Sequence, residues 1–200
     1  MLAIRRGEAY ASHLQPVRKP PMSPHIALLR AVNVGGRKVL KDDLLGLGAD
    51  LGFTEARTLL ASGNLVLWGD PALDGPIEAA LEAGLERRIG LRTDFMVRDP
   101  AELQATIEAN PFHEQARERP NHLLVMFLKA PIAAEDVEIL RAALTGPEEI
   151  HAAGRAIYID FKGGIADSTL DRDWKKTRRA PLGTSRNWNT VQKLAAMVAA

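Results

Sequence analysis

Two hydrophobic periods alternate along this chain in a fixed order, and few folds accept that order. His25–Arg30 (HIALLR) is a short apolar run ending at a glycine-bearing segment, Ala31–Lys38, and reads as a buried strand. Lys41–Leu51 places Leu44, Leu45, Leu47 and Leu51 at helical spacing and stops at Gly52. Ala56–Leu60 and Leu65–Trp68 flank Ser62-Gly63-Asn64, which is hairpin turn chemistry. Ile77, Leu81, Leu85 and Ile89 form an i, i+4 helical stripe closed by Gly90, and Arg92–Val97 predicts a fourth strand. The result is β-α-β-β-α-β, the split βαβ or ferredoxin-like unit.

A linking helix, Pro100–Ala109, follows with Leu103 and Ile107 inward. Asn110–Asn121 is polar and bracketed by proline, and is read as a boundary. Beyond it the pattern restarts. His122–Leu128 predicts a strand, Ala133–Leu144 a helix, and Glu149–Ala152 with Ala156–Phe161 a hairpin turning at Ala153-Gly154. Two helices are expected after that, near Ser168–Arg178 and Arg186–Ala199. The expected fold is therefore α+β, with two ferredoxin-like half-units of which the second ends in helices. The half-units occupy residues 25–110, with the linking helix, and 121–200. The duplication rests on element order alone.

Residues 1–24 are expected to be a flexible extension, since Gln15–Pro24 carries four prolines and the periodic pattern begins only at His25. Met22 is an alternative start to Met1. The extension has Arg5 and Arg6 but no apolar core of a secretory signal. No apolar run approaches the roughly 18 residues of a membrane span, so a membrane partner is not expected. The chain has no cysteine. That excludes disulfides, thiol nucleophiles and iron–sulfur clusters, and fits a cytoplasmic setting. Lys plus Arg number 26 against 25 Asp plus Glu, so global charge points to no polyanionic partner.

Topology suggests where a ligand would sit. In a ferredoxin-like unit the loop leaving the first strand and the hairpin after the second lie at the same end of the sheet. Here those are Ala31–Lys38 (AVNVGGRK) and Ser62–Asn64 (SGN). Gly35 and Gly36 permit successive amides to form an anion-binding nest, and Arg37 and Lys38 add charge ahead of a helix start. Asn33 and Asn64 each offer a donor and an acceptor. The expected ligand set is Asn33, Gly35, Gly36, Arg37, Ser62, Gly63 and Asn64, with Arg30, Arg186 and Asn187 as further contacts. The plain alternative is that Gly-Gly is only a tight turn and Ser-Gly-Asn only a hairpin.

Four segments carry a family likeness: Ile26–Gly36 (IALLRAVNVGG), Leu51–Asn64 (LGFTEARTLLASGN), Asn110–Phe112 (NPF) and Ser185–Leu194 (SRNWNTVQKL). In this order they resemble the domain-of-unknown-function 1697 family, a bacterial group. The resemblance implies an α+β fold and no established activity. This chain departs from the family pattern at Ala31, where glycine is usual, and at Ala61, where glutamine often precedes Ser-Gly-Asn. The family usually has glycine, arginine, serine and lysine where this chain has Ala166, Asp167, Ser168 and Thr169. An anion site in relatives there would be lost or weakened here.

The remaining features are less specific. Trp188 begins an i, i+3, i+7 stripe that continues through Val191, Leu194 or Ala195, and Val198 and reads as core; Ser185 or Asn187 suits the helix N-cap. Arg172–Arg179 (RDWKKTRR) is a dense basic run: a solvated helix face, or alternatively a nucleic-acid footprint through Lys175, Lys176, Arg178 and Arg179. Asp167 and Asp171 form a lone acidic pair, for which a cap is the ordinary role, so no metal is expected. The histidines are scattered, and the P-loop, G-x-S-x-G and G-x-G-x-x-G motifs are absent. No catalytic residue and no cofactor is assigned. The sequence thus supports binding of a small anionic or nucleotide-like metabolite, with a transferase or hydrolase acting on such a ligand as the alternative. Sheet edges also leave homodimer pairing open.

Overall fold

The computed structural model describes residues 24–30, 39–59 and 63–199. Over these residues the chain is a mixed α+β fold with two four-stranded antiparallel sheets and seven α-helices. The first sheet contains β1 (His25–Leu29), β2 (Glu55–Leu59), β3 (Asn64–Trp68) and β4 (Phe95–Arg98), in the order β2-β3-β1-β4. Helices α1 (Lys41–Asp50) and α2 (Ile77–Ile89) lie between its strands in sequence. Next come α3 (Pro100–Glu108) and a short α4 (His113–Glu118), the latter inside the polar segment expected to be a loop.

The second sheet contains β5 (Leu123–Leu128), β6 (Glu149–Ala153), β7 (Ala156–Asp160) and β8 (Gly183–Asn187), in the order β6-β7-β5-β8. Helices α5 (Ala134–Ala142) and α6 (Leu170–Thr177) accompany it, and α7 (Trp188–Val198) closes the chain. This corrects the expectation that the second half lacks a last strand. Residues 183–187 form β8, and the final helix starts at Trp188 rather than Arg186. Gly-Thr-Ser-Arg-Asn has no apolar residue to mark a strand; pairing with β5, from Leu124↔Asn187 to Leu128↔Gly183, holds it extended.

Alternation along the strands distributes side chains into layers. On β1, Ile26 and Leu28 face a central core while Ala27 and Leu29 face α1 and α2. On β5, Leu123, Val125 and Phe127 enter the same central core, and Leu128 turns towards α5 and α6. The inner faces of both sheets therefore share one core, completed by Leu103 of α3 and by Trp188, Val191 and Leu194 of α7. Trp188 is buried core, as its stripe suggests. Tyr158 lies fully buried beneath α3, where its hydroxyl donates to the Thr106 carbonyl at 2.5 Å. Burial there pushes the Tyr158 phenol up to about 12.

The halves repeat one another in hydrogen bonding as well as in order. Leu29 N donates to Gly63 O at 2.8 Å, and Leu128 N to Arg155 O at 2.9 Å. Arg30 N donates to Asp94 O, and Lys129 N to Leu182 O, both at 2.9 Å. Asp99 caps α3 by accepting from Glu102 N at 2.7 Å, and Asn187 caps α7 by accepting from Asn189 N at 3.0 Å. Phe95 thus corresponds to Gly183, Val97 to Ser185 and Arg98 to Arg186. No helix among the described residues is long and apolar enough to cross a membrane.

Candidate functional site

The end of the first sheet expected to hold a ligand does bring β1 and the β2–β3 hairpin together, with Leu28 opposite Asn64. Asn33, Gly35, Gly36, Arg37 and Ser62 lie outside the described residues. The described members of that set are largely committed to protein partners. Asn64 is fully buried; its Nδ2 donates to Leu59 O at 2.8 Å and its Oδ1 accepts from Arg186 Nε. Arg186, 6 % exposed, also donates from Nη2 to Leu29 O at 2.9 Å and to Gly63 O at 3.3 Å. Its Nη1 meets Thr184 Oγ1 at 2.7 Å and Ser185 O at 2.9 Å. Burial draws this guanidinium down to about 10, so it stays charged at neutral pH. Asn187 is the N-cap of α7 and bonds Asn121 O at 3.0 Å. Arg30 remains half-exposed, 3.4 Å from Asp94.

Arg30 stands on the rim of a pocket of about 490 Å³ on the outer face of the second sheet. Its floor is Leu124 and Met126 of β5 with Ile159 and Phe161, and Leu170 and Trp174 of α6 form a wall. Ser168, Asp171, Lys175 and Ser185 add polar groups around it. The pocket exists because α6 is short and β8 is small-sided. Helix α2 runs 13 residues over the first sheet, whereas α6 runs eight and ends at Arg178, held in the left-handed region at φ 55°. On β8 the outward positions are Gly183 and Ser185, where β4 has the buried Phe95 and Val97. Gly183 is required by the close approach of β8 to β5, since a Cβ there would stand 2.6 Å from Phe127 O.

Two details of the lining bear on binding. Trp174 is 3 % exposed and its Nε1 has no hydrogen-bond partner among the described residues, an uncommon state for a buried donor. Below it, Asp173 is anchored: Thr145 Oγ1 and Thr169 Oγ1 donate to its Oδ2 at 2.5 and 2.7 Å. Those hydroxyl bonds, outweighing burial and helped by Lys176, hold the Asp173 carboxyl well below the usual range. Arg172 and Lys176 also pair with Asp173, and Arg179 pairs with Asp136 at 3.0 Å. Much of the Arg172–Arg179 run is thus engaged within the fold, and Lys175 faces the pocket. Thr169, standing where the resemblance led us to expect lysine, serves Asp173. Ser168 donates to Glu148 and accepts from Leu170 N at 3.1 Å. Among the described residues no group of three or more His, Cys, Asp or Glu is placed to hold a metal.

A family model described as "Protein of unknown function (DUF1697)" matches residues 22–158. The chain belongs to the DUF1697 family. The match begins ahead of β1 and runs into β7, so most of the fold of this DUF1697 protein lies within it. Among solved structures it is similar to a conserved bacterial protein, SP0830 from Streptococcus pneumoniae. That likeness has a TM-score of 0.64 at 19 % identity and covers 90 % of this chain and 99 % of the other, which establishes a shared fold. No curated protein matches the sequence.

Sequence reasoning missed the pocket. It depends on the absence of side chains from β8 and on the early end of α6. A signal was nevertheless present: Leu124 and Met126 are apolar outward positions on a central strand, opposite a segment with no apolar residue to cover them.

Proposed function

We propose that this protein binds a small amphipathic anion in the pocket between β5, β8 and α6. One observation carries the reading: an apolar floor of Leu124, Met126 and Phe161 is rimmed by two cations, Arg30 and Lys175, from opposite halves of the chain. Such a combination of greasy lining and a few convergent polar groups is the usual make-up of small-ligand sites. Trp174 supports it, since its ring forms part of the apolar wall beside Lys175. The strand orders favour reading each half as a ferredoxin-like unit, with the ligand seated on the outer face of the second. Arg30 also leads into residues 31–38, so the two-loop region expected from sequence adjoins this seat along the chain. A nucleotide-like ligand remains within the class.

A thermal-shift screen of the full chain against nucleotides, phosphorylated metabolites and carboxylic acids tests this. A ligand at a hundredfold over its Kd adds about 2.7 kcal/mol, which raises Tm by about 5–10 °C at this size. The expected result is a hit lost in Trp174→Ala and Lys175→Ala. A flat screen, or a hit indifferent to both substitutions, would overturn the reading.

A further inference from the structure

We infer that the anion is the carboxylate of an apolar acid, held by Arg30, Lys175 and the backbone amide of Gly183; this rests on the pocket reading above. The first half of the chain shows what its counterpart of this place contains. There β4 is an edge strand, and its outward amides are capped by α2: Phe95 N donates to Glu82 Oε1 at 2.9 Å and Val97 N to Glu78 Oε1 at 2.8 Å. Lys129, the residue that follows β5, reaches across to the same carboxylates, bonding Glu82 and lying 3.3 Å from Glu78. One carboxylate, that of Glu82, therefore accepts both a strand-edge amide and a cation from the other half.

Each of these parts has a counterpart in the second half except the acceptor. Arg30 follows β1 as Lys129 follows β5, and the matching bonds of Arg30 N and Lys129 N fix the equivalence. The alternation of an antiparallel ladder turns the Gly183 and Ser185 amides away from β5, as it turns those of Phe95 and Val97 away from β1. Counted from its first residue, α6 has Leu170-Asp171 and Trp174-Lys175 where α2 has Ile77-Glu78 and Leu81-Glu82. In that count the residue matching Glu82 is Lys175, which lines the same pocket as Gly183. An acceptor has become a second cation, and among the described residues no carboxylate takes up the Gly183 amide. The residue in the place of Phe95 is Gly183, so the second half sets no phenyl ring of its own into the pocket.

The same comparison sets the charge of the ligand. Asp171, in the place of Glu78, is retained and lines the pocket beside Arg30 and Lys175. Asp94, 3.4 Å from Arg30, adds a second carboxylate, so the two cations face two carboxylates and leave no surplus charge for a dianion. A phosphate monoester carries about −1.5 to −2 at neutral pH and would be repelled by Asp171, so the rim favours a monocarboxylate over a phosphate.

The test titrates the full chain with 3-phenylpropionate and octanoate, their primary amides and 2-phenylethyl phosphate. The readout is the indole N–H proton resonance of Trp174, assigned by its loss in Trp174→Phe. The acids are expected to bind and move that resonance, with the amides and the phosphate at least about tenfold weaker. Arg30→Gln and Lys175→Gln should each weaken the acids by about tenfold, and Lys175→Glu should abolish binding by supplying the missing carboxylate from within. Equal affinity for acid and amide, or preference for the phosphate, would overturn the carboxylate inference and leave the pocket standing. If no probe moves the Trp174 resonance, both the inference and the pocket reading fall. The comparison of probes on the wild-type chain decides this even if a variant does not fold.

Discussion

Arg98 and Arg186 are counterparts that clasp the two halves in opposite directions. Arg98, on edge strand β4, donates from Nη2 to Leu128 O at 2.8 Å and Arg155 O at 2.9 Å in the second half. Arg186, on edge strand β8, donates to Leu29 O and Gly63 O in the first. Each also uses Nη1 on the carbonyl of its own preceding residue, Val97 or Ser185. Arg98 lies over the Phe127 ring at 5.7 Å, and burial, reinforced by Arg155, draws it down to about 10. Both guanidiniums remain charged donors at neutral pH to main-chain carbonyls of the opposite half.

Removing either arginine should therefore unfold the chain more readily than its distance from any pocket suggests. Arg98→Met and Arg186→Met keep most of the apolar stem but remove the cross-half bonds, while Arg155 O and Gly63 O keep their backbone donors Leu128 N and Leu29 N. The expected loss is about 1.5–3 kcal/mol, the scale of a hydrogen bond to a charged group. Urea denaturation measures it. Lysine in either place should recover only part, because one ammonium cannot reproduce the planar fork. Losses within about 0.5 kcal/mol, the range of ordinary surface changes, would show that these bonds do not hold the halves together.

The capped edge of β4 supplies a second prediction. Glu82→Ala removes the acceptor of Phe95 N and the main partner of Lys129, at an expected cost of about 1–2 kcal/mol. Amide exchange at Phe95 should quicken while that at Met96, bonded inward to β1, changes less. Burial works against the Lys129 ammonium, but its bonds to Glu82 and Glu78 outweigh this and leave its pKa raised. A raised pKa gives a contribution that is complete below about 10.5 and is lost as pH rises through the higher folded value. The gap between wild type and Glu82→Ala should accordingly narrow above that pH.

What the sequence revealed and what it concealed follow from how each feature is encoded. Ile77, Leu81, Leu85 and Ile89 bury one stripe of one helix, so periodicity alone discloses α2. Trp188 and Val191 disclose α7 in the same way. Strand β8 has no such mark, because Gly183 and Ser185 face a pocket and Arg186 spends its polarity inside. The shared end of β1 and the β2–β3 hairpin was legible from topology, since Leu28 and Asn64 had to meet. That a side chain from residue 186 would enter there was not, because it depends on how two sheets face one another. The pocket was least legible, being formed by positions where large side chains are missing.

His25 sets an acid-side expectation. It begins β1, packs edge-on against Phe53 with ring centroids 6.0 Å apart, and its pKa is lowered by burial, partly offset by Asp70 and Asp99. A lowered folded pKa means the unfolded chain binds the proton more readily. The neutral ring's contribution is thus full above the unfolded value of about 6.5 and is lost as pH falls from there through the folded value. Urea midpoints at pH 7.5 and 5.5 should show a drop in wild type that is smaller in His25→Gln. Equal drops would place the acid sensitivity elsewhere.

Arg178 ends α6 at φ 55°, the one non-glycine residue in the left-handed region among those described. Its amide reaches Lys175 O at 3.4 Å, and Arg179 N is taken by Thr177 Oγ1 at 3.0 Å, so the turn is fixed by its neighbours. An L side chain there costs roughly 1–2 kcal/mol, whereas glycine adopts the conformation freely and loses about 0.5–1 kcal/mol in unfolded-state entropy. Arg178→Gly should therefore stabilise the chain by up to about 1 kcal/mol, raising Tm by about 2–4 °C. Because Arg178 is not among the residues that line the pocket, the variant should keep the affinity of wild type for any ligand held there. A fall in Tm would mean that the arginine makes up for its backbone strain through contacts of its own. A change in affinity at unchanged fold would mean that the early end of α6 shapes the pocket through this one turn.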